Sequence, residues 1–389
     1  MGSRYLSSSA NKPESASPNS RLIGLDVLRF VAVTLVLHIH ALQVFGPTVS
    51  SGSVGVLERI FDFLPPGVRG VDIFFVLSGF LVSGIFFQEL ARTGSAAPGR
   101  FLIRRGFKIY PAFWLLILVT VILQIFRTGG VYSKGLLAEI LFFQNCVMGL
   151  WYHTWTLAVE EHFYLVLALL FFTLKRFPAA NGRINLKTIP RVVDAVILGC
   201  FVARVLTWWF DLGNRFNVLW IGSVTHVRID ALFFGVWLAH GWHNCWDERL
   251  KTRIVSYRYC WAVAGLVLIS SLSDRFMNIT IWNIFGFILN YVGAGCLLIA
   301  ALSLDYRPRN ACLRFFAWLG KHSYSVYLWH MLALEVMQHV LGGESPGFGT
   351  FLIKEFLFFA VSWILGIVLA RTIEFPMMRL RDKLFPARC

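Results

Sequence analysis

The sequence predicts an all-α polytopic membrane protein, a bundle of about ten transmembrane helices with both termini in the cytoplasm. Three observations carry this expectation. Hydrophobic residues make up 57% of the 389 positions and charged residues only 15%, against about a quarter charged in an ordinary soluble domain. Apolar runs of about 20 residues, the length that crosses a bilayer, recur from residue 22 to residue 374. Lys and Arg collect in alternate connections between those runs, as the positive-inside rule requires of cytoplasmic loops.

Residues 1–20 are polar, Ser-rich and without periodicity, and read as a disordered cytoplasmic tail. No cleavable signal peptide is expected, because the first apolar run is too long and no small-residue cleavage site closes it. An N-myristoylation motif fails at Leu6. The first span, 22–44, contains LDVLRFVAVTLVLHIHA, and the second, 68–90, contains GVDIFFVLSGFL. The third, 108–127, is entered through RRGFKIYP at 104–111. The run 135–149 is too short to cross and reads as a re-entrant or interfacial helix. The fourth span, 156–174, opens with WTLAVEEHFYL. Spans at 191–210, 226–243 (with VRIDALFFG), 257–272 and 281–303 follow. The ninth, 319–341, reads LGKHSYSVYLWHMLAL, and the last, 350–374, ends in TIEFP.

An even number of spans agrees with the charge distribution. Arg92, Arg100, Arg104 and Arg105, then Lys175 and Arg176, Arg249 and Lys251, and Arg379 and Arg381 all fall on one side. The net charge of +15 is therefore topological and gives no reason to expect nucleic acid. Seven scattered cysteines without a CxxC pair read as small core residues, with no disulfide framework or zinc site. The Asn278-Ile279-Thr280 sequon carries little weight by itself. No internal repeat or appended soluble domain is evident. The expected organisation is the tail 1–20, one membrane domain over 21–380, and a short basic tail over 381–389.

The first span carries Asp26, Arg29, His38 and His40, all costly in lipid. At 100° per residue, Arg29 and His40 lie three turns apart on one face, roughly 16 Å along the axis. Asp26 shares that stripe, and His38 points almost oppositely. Intramembrane ionisable groups mark functional pathways by default; the alternative is a structural Asp26–Arg29 pair.

Adding the other spans suggests two centres. An outer one would gather His40, Asp72, Glu160, Glu161 and Asp230. An inner one would gather Arg29, Arg104, Arg105 and Lys108. A neutral imidazole beside a carboxylate is what hydroxyl activation needs near pH 7. A cationic cluster suits a phosphate-rich donor, although the same residues serve equally as anchors on lipid phosphates. Tyr327 and His330 read as interfacial or core residues, and Glu335 has no evident partner in sequence.

Taken together and in this order, these stretches resemble the acyltransferase-3 family of membrane O-acyltransferases, bacterial enzymes that decorate cell-surface and exported glycans. Arg29 and His40 stand at the family's spacing of a basic residue and a His in the first helix. GVDIFFVLSGFL, WTLAVEEHFYL, RIDALFFG and SYSVYLWH resemble its other motifs. The resemblance implies transfer of an acyl group, usually acetyl, from cytoplasmic acyl-coenzyme A to a carbohydrate hydroxyl at the periplasmic side of the inner membrane. It implies no tightly bound cofactor and no metal; acetyl-CoA would be a co-substrate and a glycan or lipid-linked saccharide the acceptor. Arg29 would position the donor with Arg104, Arg105 and Lys108, and His40 would act as general base. Asp72 or Glu160 or Glu161 would hold its tautomer, Glu161 matching the family's fourth-span glutamate. Two departures stand out. Arg105-Gly-Phe-Lys108 replaces an Arg-x-x-Arg motif, and Thr156 and His162 replace Ser and Gln. A multispan transporter or flippase is the rival reading, since polar stripes also line permeation paths.

Overall fold

The computed structural model describes residues 23–47, 68–178, 184–210, 222–270, 282–304, 310–345 and 347–386. The expected tail 1–20 and the Asn278 sequon lie outside these residues. Among the described residues the fold is all-α, with no strand and one isolated bridge between Pro47 and Ser345. In chain order the helices are α1 (Ile23–Phe45), α2 (Val68–Thr93), α3 (Pro98–Thr128), α4 (Ser133–Ile140), α5 (Trp155–Arg176), α6 (Thr188–Trp209) and α7 (Thr225–His240). They continue as α8 (Glu248–Ser256), α9 (Arg258–Ile269), α10 (Phe287–Leu302), α11 (Ala311–Gly320), α12 (Ser323–Leu341), α13 (Phe348–Leu369) and α14 (Phe375–Leu384).

Each of the ten apolar stretches is helical through most of its described part, because a helix is the one open-ended structure that pairs its own backbone in lipid. Among the described residues six segments are long and apolar enough to cross a membrane: 23–45, 69–93, 98–128, 152–176, 284–302 and 348–384. Large apolar side chains such as Leu118, Phe172 and Ile364 are exposed on them, as suits a surface whose solvent is lipid. The chain is a multi-pass membrane protein.

Three boundaries differ from expectation. Helix α3 begins ten residues before the predicted span, with Pro98 in its first turn and a left-handed Gly129 ending it, so the RRGFKIYP cluster is helical and aims its cations sideways. The ninth stretch is broken by a turn at 321–322 into α11 and α12. The only helix in the run 135–149 is the end of the eight-residue α4, which starts at Ser133 and is followed by turns. In those turns Phe142 has a φ of 56°, the one non-glycine positive φ among the described residues. The buried Glu139 carboxylate secures this segment, accepting from the Leu150 amide at 3.0 Å, the Trp151 amide at 3.3 Å and the Thr154 hydroxyl at 2.8 Å. The cysteines also depart from expectation. Cys200 and Cys296 are buried, but Cys146, Cys245, Cys260 and Cys312 are exposed, and all six are free.

Helix α2 is central, packed against α1, α7 and α10. Its crossing with α7 depends on two facing glycines. A Cβ at Gly79 would stand 1.9 Å from the Leu232 carbonyl oxygen, and one at Gly235 would stand 2.2 Å from that of Val76. Both obstacles are helix backbone, so no side-chain rotation relieves them. Close backbone approach at small residues is a principal source of helix association in lipid. Gly79→Val is therefore expected to destabilise the protein by about 3 kcal/mol or more, read as a lowered melting temperature in nanodiscs.

Candidate functional site

A cavity of about 110 Å³ opens between α1, α2, α3, α5 and α12, and it gathers three of the four expected cations. Arg29, Arg105 and Lys108 line it, together with Glu160, Ser78, Thr156, Tyr324 and Tyr327. Arg29 meets Asp26 at 2.5 Å, one turn back on α1. Arg105 lies over the Tyr164 ring, 4.3 Å from its centroid, donates to the Tyr164 hydroxyl, and stands 3.7 Å from Glu160. Tyr164 in turn donates to Glu160, four residues back on α5, and Ser78 approaches both. Arg29, Arg105 and Lys108 bring positive charge to this lining beside Glu160, a setting that suits an anionic group. The volume admits a small polar group rather than a whole nucleotide.

Arg104 is not part of this lining. One residue round α3 from Arg105, it points to α14, with Asp382 at 2.9 Å and the Phe385 carbonyl as partners. Arg100 reaches the Pro386 carbonyl beside it. These two arginines pin the C-terminal helix, which removes Arg104 from the expected donor-binding set.

The expected outer centre divides into separate groups. Glu160 belongs to the cationic cavity. Glu161, 100° round the helix from it, accepts from the Tyr110 hydroxyl at 3.0 Å. Asp72 pairs with Arg228 at 2.7 Å, and Asp230 pairs with Arg204, all four side chains at most 2% exposed. Arg228 also faces the rings of Phe287 at 4.5 Å and of Phe75 and Trp155 at 5.7 Å. These pairs lock α2, α6 and α7 together, so Asp72 does not hold the tautomer of His40.

Gln43 takes that place. Its side-chain oxygen lies 3.1 Å from His40 Nδ1, one turn along α1. A carbonyl oxygen only accepts, so Nδ1 carries the proton and Nε2 keeps its lone pair. The His40 ring packs against His330, 5.2 Å between centroids, and His330 packs against His153 at 5.0 Å. Tyr327 touches both of the latter rings, at 5.6 and 5.7 Å. Its hydroxyl donates to the His153 carbonyl at 2.9 Å and lies 2.7 Å from the Thr156 hydroxyl. Tyr327 and Thr156 also line the cationic cavity, so they connect the two regions.

The sequence reading missed His153, Gln43 and Tyr164. Each stood at a helical spacing from a residue already singled out: three before Thr156, three after His40 and four after Glu160. His38, excluded from the stripe, pairs with Glu355 at 2.5 Å. Glu335 has a partner after all, Arg127 of α3.

A multi-pass helical bundle with half-buried cations on one side of a shared tyrosine and imidazoles on the other is the architecture of a membrane-embedded catalyst or carrier. The chain belongs to the acyltransferase-3 family: a family model described as an acyltransferase domain matches residues 22–371. It is 24% identical over 343 residues to the peptidoglycan O-acetyltransferase OatA of Listeria monocytogenes, covering 82% of this chain and 52% of that protein. It is 26% identical over 352 residues to the O-acetyltransferase OatA of Staphylococcus aureus, covering 84% and 53%. A putative O-acetyltransferase of Staphylococcus aureus is 25% identical over 370 residues, covering 83% and 52%. The chain thus spans about half the length of the curated relatives it matches. No solved structure matches it.

Proposed function

We propose that this protein is an integral-membrane O-acyltransferase that moves an acetyl group from cytoplasmic acetyl-CoA to a hydroxyl of a cell-surface or exported glycan. In this reading ten spans place both termini in the cytoplasm of an inner membrane, and the reaction delivers its product on the opposite face. The observation that carries it is the shared wall: Arg29, Arg105 and Lys108 bound a cavity that reaches, through Tyr327, the imidazole group containing His40. The relatives named as O-acetyltransferases support the same chemistry.

Each part then has a task. Arg29, Arg105 and Lys108 hold one anionic group of the donor, Arg105 being kept in place by Glu160, Tyr164 and Ser78. His40, with Nδ1–H fixed by Gln43, offers Nε2 as the base. Nε2 takes the proton of the acceptor hydroxyl as its oxygen attacks the thioester carbonyl carbon. The carbon–sulfur bond breaks, and the departing thiolate takes that proton back from His40. Positioned proton transfer of this kind contributes typically 10²–10⁴-fold.

Acetyl-CoA binding and CoA release by purified protein in nanodiscs test this function. Arg29→Ala is expected to weaken acetyl-CoA binding about tenfold or more, the worth of a hydrogen bond to a charged group. Folded wild-type protein that neither binds acetyl-CoA nor releases CoA would remove the enzyme reading in favour of a carrier.

A further inference from the structure

His153 and His330 each have one ring nitrogen committed to a backbone carbonyl and one with no protein partner. His330 Nδ1 lies 2.5 Å from the Tyr327 carbonyl oxygen, and His153 Nε2 lies 3.1 Å from that of Leu328. Carbonyl oxygens only accept, so both contacts fix the proton on the bonded nitrogen. What remains is a lone pair on His330 Nε2 and another on His153 Nδ1. Both nitrogens are buried without a partner, on side chains 0% and 2% exposed. Gln43 likewise leaves His40, whose ring is only partly buried, a lone pair at Nε2. Three packed imidazoles therefore present hydrogen-bond acceptors and no donor.

Buried polar groups are almost always satisfied, and each exception needs an explanation. An apolar ring would fill the same space without an orphaned nitrogen, at the loss of the bonds to the Tyr327 and Leu328 carbonyls. The missing partners are hydrogen-bond donors, and the His330 ring packs on that of the proposed base, His40. We propose that His153 Nδ1 and His330 Nε2 are the acceptor-binding groups of this site: they receive O–H groups of a polyhydroxylated saccharide next to the hydroxyl that His40 deprotonates. The inference rests on the acyltransferase reading and adds the recognition rule for its acceptor. A site offering only lone pairs selects a ligand that presents several hydroxyl donors and rejects one whose neighbouring hydroxyls are alkylated, since ether oxygens would face lone pairs.

The tautomers give a test that separates recognition from architecture. An Asn side chain places its amide N–H near the position of imidazole Nδ1, and a Gln side chain places its polar end near that of Nε2. His330→Asn thus keeps the bond to Tyr327 and loses the orphan acceptor, whereas His330→Gln does the reverse. At position 153 the bonded and orphan nitrogens are exchanged, so His153→Gln keeps the bond to Leu328 and His153→Asn keeps the acceptor. The measured quantity is the ratio of acetylated alcohol to acetate formed from acetyl-CoA in nanodiscs, with glycerol, methyl N-acetyl-β-glucosaminide and chitopentaose as probes.

His330→Gln and His153→Asn are expected to stay within about threefold of the wild-type ratio. His330→Asn and His153→Gln are expected to lower it about tenfold, the worth of one lost hydrogen bond. Melting temperatures should rank the other way, with His330→Asn and His153→Gln nearer to wild type. A product ratio that instead follows the melting temperatures would mean that both histidines are architectural and would overturn the inference alone. Wild-type CoA release with none of the three probes acetylated would overturn it as well. Folded wild type that releases no CoA removes the acyltransferase reading, and the inference falls with it.

Discussion

Replacing His40 by alanine is expected to lower acyl transfer by about 10²–10⁴-fold, the range a positioned general base supplies, with little change in melting temperature. The ring is only partly buried, its Nδ1 bonds a side chain of its own helix, and its loss leaves no buried charge unpaired. Acetyl-CoA binding should persist, because the cations that line the donor cavity lie nearer the start of α1 and on α3. The control sits two residues away. His38→Ala removes the 2.5 Å partner of Glu355, a residue 8% exposed, and leaves that carboxylate short of a hydrogen bond. Its expected effect is a stability loss of about 1–3 kcal/mol, with turnover per folded molecule retained. Opposite outcomes for neighbouring histidines, measured as CoA release and melting temperature on the same samples, would separate chemistry from support. Equal rates for wild type and His40→Ala would take the base away from this residue.

The different placement of these two histidines was legible in the sequence, and so was much of the first helix. The eleven-residue spacing placed Arg29 and His40 on one stripe and His38 off it, because helical phase is local and needs only 100° per residue. The Asp26–Arg29 contact follows from the same arithmetic. Harder to read were the partners across helices. Asp72, Asp230 and Glu160 all fall near one end of their spans, and depth along the membrane was the one coordinate that hydropathy supplied. Rotation about each helix axis decides whether such groups meet. That rotation is set by side-chain packing, as where α7 approaches α2 closely at Gly79 and Asp72 meets Arg228. Arg104 escaped for a related reason: a cluster read as a loop has no phase, and once α3 extends back to Pro98 adjacent arginines diverge, one to the cavity and one to α14.

The buried pair left by that packing carries the largest expected stability effect. Asp72→Ala would strand the Arg228 guanidinium, 2% exposed, among Phe75, Trp155 and Phe287. Breaking one side of a buried pair typically costs about 3–5 kcal/mol, because the remaining charge has neither water nor a counter-ion. Asp230 does not take the place of Asp72, being already committed to Arg204. The expected result is little folded Asp72→Ala protein by size-exclusion profile in detergent. Joining Asp72→Leu with Arg228→Met removes both charges and keeps comparable volume, so it should recover most of the stability. Transfer by that recovered double variant then decides what the pair is for. Activity near wild type makes Asp72 and Arg228 a lock between α2 and α7. Restored folding without activity would mean that Arg228, through its contact with Trp155 at the start of α5, sets the position of His153, Thr156 and Glu160 along the two sides of Tyr327.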